Sequence, residues 1–117
     1  YFINTNATSY DLETANGSYD PTSTLGVTAL IAGTITCHLE HRGNGGGAYS
    51  YVRVLKNGVL VQEWNTINWL SFISREVSVT VAVGDSIVFQ QRTDNASYST
   101  YWQNLRIYSN VNNFAVA

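Results

Sequence analysis

The chain has 117 residues, with six Lys plus Arg against eight Asp plus Glu and a formal net charge of −2. That length suits one domain burying about two-thirds of its unfolded surface, and so small a charge excludes the basic footprint that nucleic acid or an anionic membrane surface requires. The single cysteine, Cys37, excludes an internal disulfide framework. No apolar run reaches the ~18 residues of a membrane-spanning helix, and no basic start with an apolar core reads as a secretory leader.

Eight tyrosines and three tryptophans against one proline and no methionine favour pleated sheet and recognition surface over helix. Residues 1–24 read as an N-terminal arm with short extended pieces near Phe2-Ile3 and Tyr10 to Thr14, and turns at Asn16-Gly17 and Asp20-Pro21. Residues 25–117 read as a single β-sandwich domain. Gly33 marks a bulge or turn between LGVTALIA and TITCHLE. In the latter, Ile35, Cys37 and Leu39 face inward, while Thr34, Thr36, His38 and Glu40 face outward, the period of a half-buried strand. A glycine-rich loop follows at residues 43–47; with no Gly-Lys-Ser/Thr and no helix after it, it does not read as a phosphate cradle.

Residues 49–64, YSYVRVLKNGVLVQEW, form a hairpin around Asn57-Gly58, a pair that tolerates the positive φ angles of a type I′ turn. A two-residue turn sets Leu55 opposite Leu60, Val54 opposite Val61 and Tyr51 opposite Trp64. The connection WNTINWLSFIS must contain a loop, yet it carries Trp64, Ile67, Trp69, Leu70, Phe72 and Ile73, so a sandwich end, another protomer or a ligand is expected to cover it. Residues 76–83 and 86–92 pair across Gly84-Asp85, with Val77, Val79, Val81, Val83, Ile87 and Phe89 as the core set. In the last long strand Leu105 and Ile107 share an inward face with Tyr101, and Tyr98, Trp102, Asn104, Arg106 and Tyr108 share the outward one. The tail at residues 114–117 reads as an edge strand. These seven to nine short strands without a helical period specify an all-β, antiparallel, jelly-roll-like β-sandwich.

Chemistry is sparse. His38-Leu39-Glu40-His41 is the one grouping of metal-type ligands, and with no matching partner elsewhere it reads as a solvated face, so neither metal nor cofactor is expected. Scattered carboxylates leave Glu40 with Glu63 as the pair to test for a glycosidase, and no nucleophile is flanked by a base, so the chain is not expected to be an enzyme. The surface feature of interest is the outward row. Trp102 and Tyr108 can stack on a sugar ring while Arg106 and Asn104 bond its hydroxyls. Packing against a neighbouring subunit, or a second covered core, would employ the same residue types. Trp69, Tyr98, Trp102, Asn104, Arg106 and Tyr108 are therefore the ligand or interface candidates.

At VRVLKNGVLVQEW, VSVTVAVGDSIVFQQR and YWQNLRIYS the chain resembles small β-sandwich modules of bacteriophage tail and virion structural proteins, which show a strand-KNG-strand hairpin, a GD-x-I strand pair and an NLRI-type last strand. Similar GD-x-I text occurs in sugar-binding sandwich modules and trimeric jelly rolls. The resemblance covers residues 49–109 and matches hairpin and core positions, so it carries over no binding residue. It implies a non-enzymatic module located in the virion, a tail-fibre or baseplate tip or capsid decoration, assembled as a homo-oligomer with a trimer favoured and touching a host-surface glycan. The alternative is a monomeric carbohydrate-binding module acting through Trp69, Trp102, Tyr101 or Tyr98.

Overall fold

The computed structural model describes residues 2–4, 12–14, 24–45, 47–95, 97–109 and 114–116. Its elements are β1 (Phe2–Asn4), β2 (Leu12–Thr14), β3 (Thr24–Ala29), β4 (Gly33–Arg42), β5 (Ser50–Lys56), β6 (Val59–Thr66), β7 (Ile73–Val81), β8 (Ser86–Thr93), β9 (Thr100–Tyr108) and β10 (Phe114–Val116). Among the described residues seven longer strands fall within the expected seven to nine, and three-residue pieces at both ends of the chain add to them. One sheet has the order β1-β9-β4-β7 with β2 also on β9, the other β10-β3-β8-β5-β6. The pairings are all antiparallel. The architecture is the two-sheet sandwich that alternation specified.

The core lies between the sheets. Ile35, Cys37, Leu39, Val79, Val81, Trp102, Leu105 and Ile107 enter from the first, and Val27, Ala29, Val52, Val54, Ile87 and Phe89 from the second. Burying each large aliphatic or aromatic side chain contributes about 1.5–3 kcal/mol. Burial pushes the Cys37 thiol up to about 12, which leaves it a small apolar filler rather than a nucleophile.

Three expectations are corrected. Residues 76–83 and 86–92 do not form a hairpin: β7 pairs with β4 and β8 with β3 and β5. The Gly84-Asp85 turn therefore crosses between sheets, and Val83 is 69% exposed within it. The turn is held by Asp85, whose Oδ2 accepts from Ala82 N at 2.8 Å and whose Oδ1 accepts from Asn57 Nδ2 at 2.9 Å. In the β5–β6 hairpin, Asn57 and Gly58 do take positive φ, 51° and 79°. A bulge between Val54 and Leu55, however, sets Val54 opposite Gln62 and Val52, not Tyr51, opposite Trp64.

The third correction concerns β9. Between His38 and Glu40 the β4 strand advances two residues, while β9 passes through three, from Arg106 to Gln103. Asn104 absorbs the extra residue with φ 59°, and such a bulge reverses the side-chain parity beyond it. Trp102 therefore points inward, 1% exposed, and Tyr101 lies half-buried on the outer face. The outward placement of Trp102 fails for this reason.

Candidate ligand-binding site

Strands β4, β6 and β8 all run toward one end of the sandwich, so the described residues that follow them, 43–45 and 47–49, 67–72, and 94–95 and 97–99, gather there, opposite the Asn57-Gly58 turn. The loops are bonded to one another. Gly43 N donates to Asn68 O at 2.7 Å, Tyr49 N to Asp94 Oδ1 at 2.7 Å, and Asp94 N to Tyr49 O at 3.3 Å. Gly45 and Gly47 adopt φ of 88° and 78°, where a side chain would be strained.

Within 67–72 the organiser is Asn68. Its Oδ1 accepts from Leu70 N at 2.9 Å and Ser71 N at 3.1 Å, while its own N–H donates to Thr66 Oγ1 at 3.1 Å. This Asx-type turn lifts the next two residues out of the sandwich. Trp69 is 54% exposed and Leu70 79%. With Gly47, Ile67 and Asn68 they line a concavity of about 330 Å³.

Arg42, the last residue of β4, braces this loop from below. Its guanidinium lies 4.4 Å from the Tyr101 ring centre and 5.3 Å from that of Phe72. Nη1 donates to Gly43 O at 3.0 Å and to Trp69 O at 3.3 Å. The Trp69 indole is thereby presented on a loop whose backbone is fixed at several points, the rigid aromatic surface that recognition favours.

Beneath it the core turns polar. Arg75 Nε donates to His41 Nε2 at 3.0 Å, so the imidazole is neutral with its proton on Nδ1, which donates to Ser50 Oγ at 2.9 Å. Ser50 and Thr100 are hydrogen-bonded through their hydroxyls, and Thr100 Oγ1 also donates to Arg42 O at 3.3 Å. Burial, then the Arg75 charge, lowers His41 to about 3.

The six sequence candidates separate into three places. Trp69 and Tyr98 belong to the loop end, Trp102 to the core, and Asn104, Arg106 and Tyr108 to the outer face of the first sheet. On that face Glu40 accepts from Gln103 Nε2 at 2.8 Å and Asn104 Nδ2 at 3.0 Å. Arg106 Nε donates to Asn104 Oδ1 at 2.5 Å and its Nη1 to the Tyr108 hydroxyl at 3.3 Å. Sequence reading named Tyr101 for a sugar contact but faced it inward, and it missed Arg42 and Gln103; only Asn68, an Asx-turn former ahead of an aromatic, carried a local signal.

His38 and Glu40 share the outer face, Nε2 to Oε2 3.8 Å, but His41 points inside, so this trio does not converge. Among the described residues no group of three or more His, Cys, Asp and Glu lies together. Glu40 and Glu63 occupy opposite outer faces of the sandwich, with Glu63 opposite Arg53 on the second sheet, so they share no groove.

No protein-family model and no curated protein matches the sequence. Solved structures do match. The chain is similar to the CBM36-1 domain of a multidomain xylanase from the hindgut metagenome of Trinervitermes trinervoides, with TM-score 0.66 and 16% identity over 95% of this chain and 87% of that one. The fold is the jelly roll of such modules. A family 35 carbohydrate binding module from an environmental isolate gives TM-score 0.54 and 17% identity, covering 100% of this chain and 97% of that one. A CBM36 module in complex with calcium and xylotriose gives 0.57 and 16%, covering 98% and 88%.

Proposed function

We propose that this chain is a non-enzymatic carbohydrate-binding module that takes its ligand at the loop end, with Trp69 as the stacking platform. The observation that carries this reading is the presentation of Trp69. An indole half open to solvent is expensive to leave in water, and here its loop is fixed by Asn68, Gly43 and Arg42. The apolar face of a sugar ring, with its C–H bonds against the indole, fits such a surface, and neighbouring amides meet the hydroxyls. Support also comes from the fold, which is similar to modules named for carbohydrate binding, one of them holding xylotriose.

The virion role with trimeric assembly draws its support from the sequence resemblance at hairpin and core positions. The glycan reading keeps the sugar contact of that role, requires no assembly and gives Trp69 a use. Screening the purified protein on immobilised plant, algal and bacterial glycans tests it. Binding that disappears in Trp69→Ala with the fold intact is the expected result; silence across the whole panel overturns the reading.

A further inference from the structure

One residue, Arg42, links the outer face of the first sheet to the loop end. Arg42 reaches the Trp69 carbonyl on one side and lies on Tyr101 on the other. From Tyr101 the outward side chains of β9 continue as Gln103, Asn104, Arg106 and Tyr108, opposite Arg42, Glu40, His38 and Thr36 of β4. The row is half-buried, and its polar groups are already oriented by one another. Glu40 holds two amides through both carboxylate oxygens, Asn104 turns its oxygen to Arg106, and Arg106 turns to the phenol.

We infer that the ligand of the Trp69 site is an extended, linear oligosaccharide whose chain continues from the indole over Arg42 and Tyr101 and along the outer face of β9 as far as Tyr108. This rests on the function proposed above and names the class of its ligand. Three observations select a chain over a single terminal sugar. The concavity beside Trp69 is open and lined largely by apolar groups, which suits one ring face but not a ring bonded on all its hydroxyls. The row from Arg42 to Thr36 spans six residue steps, about 20 Å at a strand's rise, the length of several sugar rings. Along it stand carboxylate, amide, guanidinium and phenol groups, the mixture of donors and acceptors that hydroxyls require. The β9 bulge at Asn104 serves the same end: it brings the Asn104 amide beside that of Gln103 on Glu40.

The test is calorimetric titration with xylo-, cello-, laminari- and manno-oligosaccharides, each from monosaccharide to hexasaccharide, against wild type, Asn104→Gly and Tyr108→Ala. Glycine keeps the positive φ at residue 104 while removing the amide, so Asn104→Gly is expected to fold even where Tyr108→Ala is weakened. The expected result is affinity that climbs with chain length. Each substitution should weaken the longest ligand roughly three- to tenfold, the net loss of about one hydrogen bond, and leave the shortest binder unchanged. Affinity that levels off at the disaccharide, or variants that weaken short and long ligands alike or neither, overturns the extended path while leaving the Trp69 site standing. No binding by any ligand overturns the site itself and the path with it.

Discussion

The Arg42 guanidinium donates to the backbone carbonyl of Trp69 across 3.3 Å. The same group lies over Tyr101 and Phe72, so one side chain ties β4, the start of β9 and the connection carrying the exposed indole. Replacing it with alanine is expected to cost about 1–3 kcal/mol, the sum of a cation–π contact and hydrogen bonds to carbonyls. Lysine should recover little, because an ammonium cannot lie flat between two rings and bond two carbonyls in one plane. Urea unfolding of Arg42→Ala and Arg42→Lys, with glycan affinity measured alongside, checks both parts.

The three tryptophans are not equivalent. Trp102 is among the largest fully buried side chains, whereas Trp69 is half open to water. Trp102→Ala should lose about 3–5 kcal/mol through the cavity it leaves. Trp69→Ala should stay within roughly 0.5 kcal/mol of wild type, as surface changes usually do. Denaturant midpoints of the two variants measure the contrast, and near-equal midpoints would contradict the bulge in β9.

Acid should weaken the fold through His41. Its pKa in the folded chain is lowered to about 3 by burial and by Arg75, while the unfolded side chain titrates near 6.5. Between those values only the unfolded chain takes up the proton, so stability falls as pH drops through the window. The slope is about 1.4 kcal/mol per pH unit for one proton. Burial also lowers His38, and its contribution has the same sign. Comparing unfolding free energies of wild type and His41→Gln from pH 7 to 4 isolates the His41 part: the variant should show a shallower fall by one proton.

Asn104 occupies the left-handed region at φ 59°. Alanine there keeps the strain and loses the bonds to Glu40 and Arg106, whereas glycine loses the bonds and removes the strain, a difference of about 1 kcal/mol. Thermal unfolding should therefore rank wild type, Asn104→Gly and Asn104→Ala in falling order of midpoint.

Much of the sandwich was legible in the sequence because period-two alternation is written directly in Ile35-Cys37-Leu39 and Val79-Val81, and Asn57-Gly58 declares its own turn. What alternation does not contain is the position of an inserted residue. Nothing in YWQNLRIYS announces that Asn104 is extra, since asparagine suits a strand's outer face as well as a bulge, and plain alternation therefore puts Trp102 on the wrong side. Likewise Gly84-Asp85 reads the same whether the next strand pairs with its predecessor or crosses to the other sheet, because that choice depends on contacts far away in the chain. The loop end was legible as an apolar connection needing cover, with Trp69 and Tyr98 as candidate contacts. Its bracing by Arg42 requires β4, β7 and β9 to be assembled first, and no local pattern encodes it.

The proposed function stands or falls on whether sugar meets the chain at the Trp69 end. Nuclear magnetic resonance mapping tests it most directly: the 15N-labelled protein is titrated with the best-binding oligosaccharide from the glycan screen. The largest shifts are expected on the Trp69 indole N–H and on backbone amides of residues 43–47 and 67–72, with the Asn57-Gly58 and Gly84-Asp85 turns at the far end unmoved. Shifts concentrated at those far turns, or on the outer face of the second sheet around Tyr51 and Arg53 while Trp69 stays still, would contradict it.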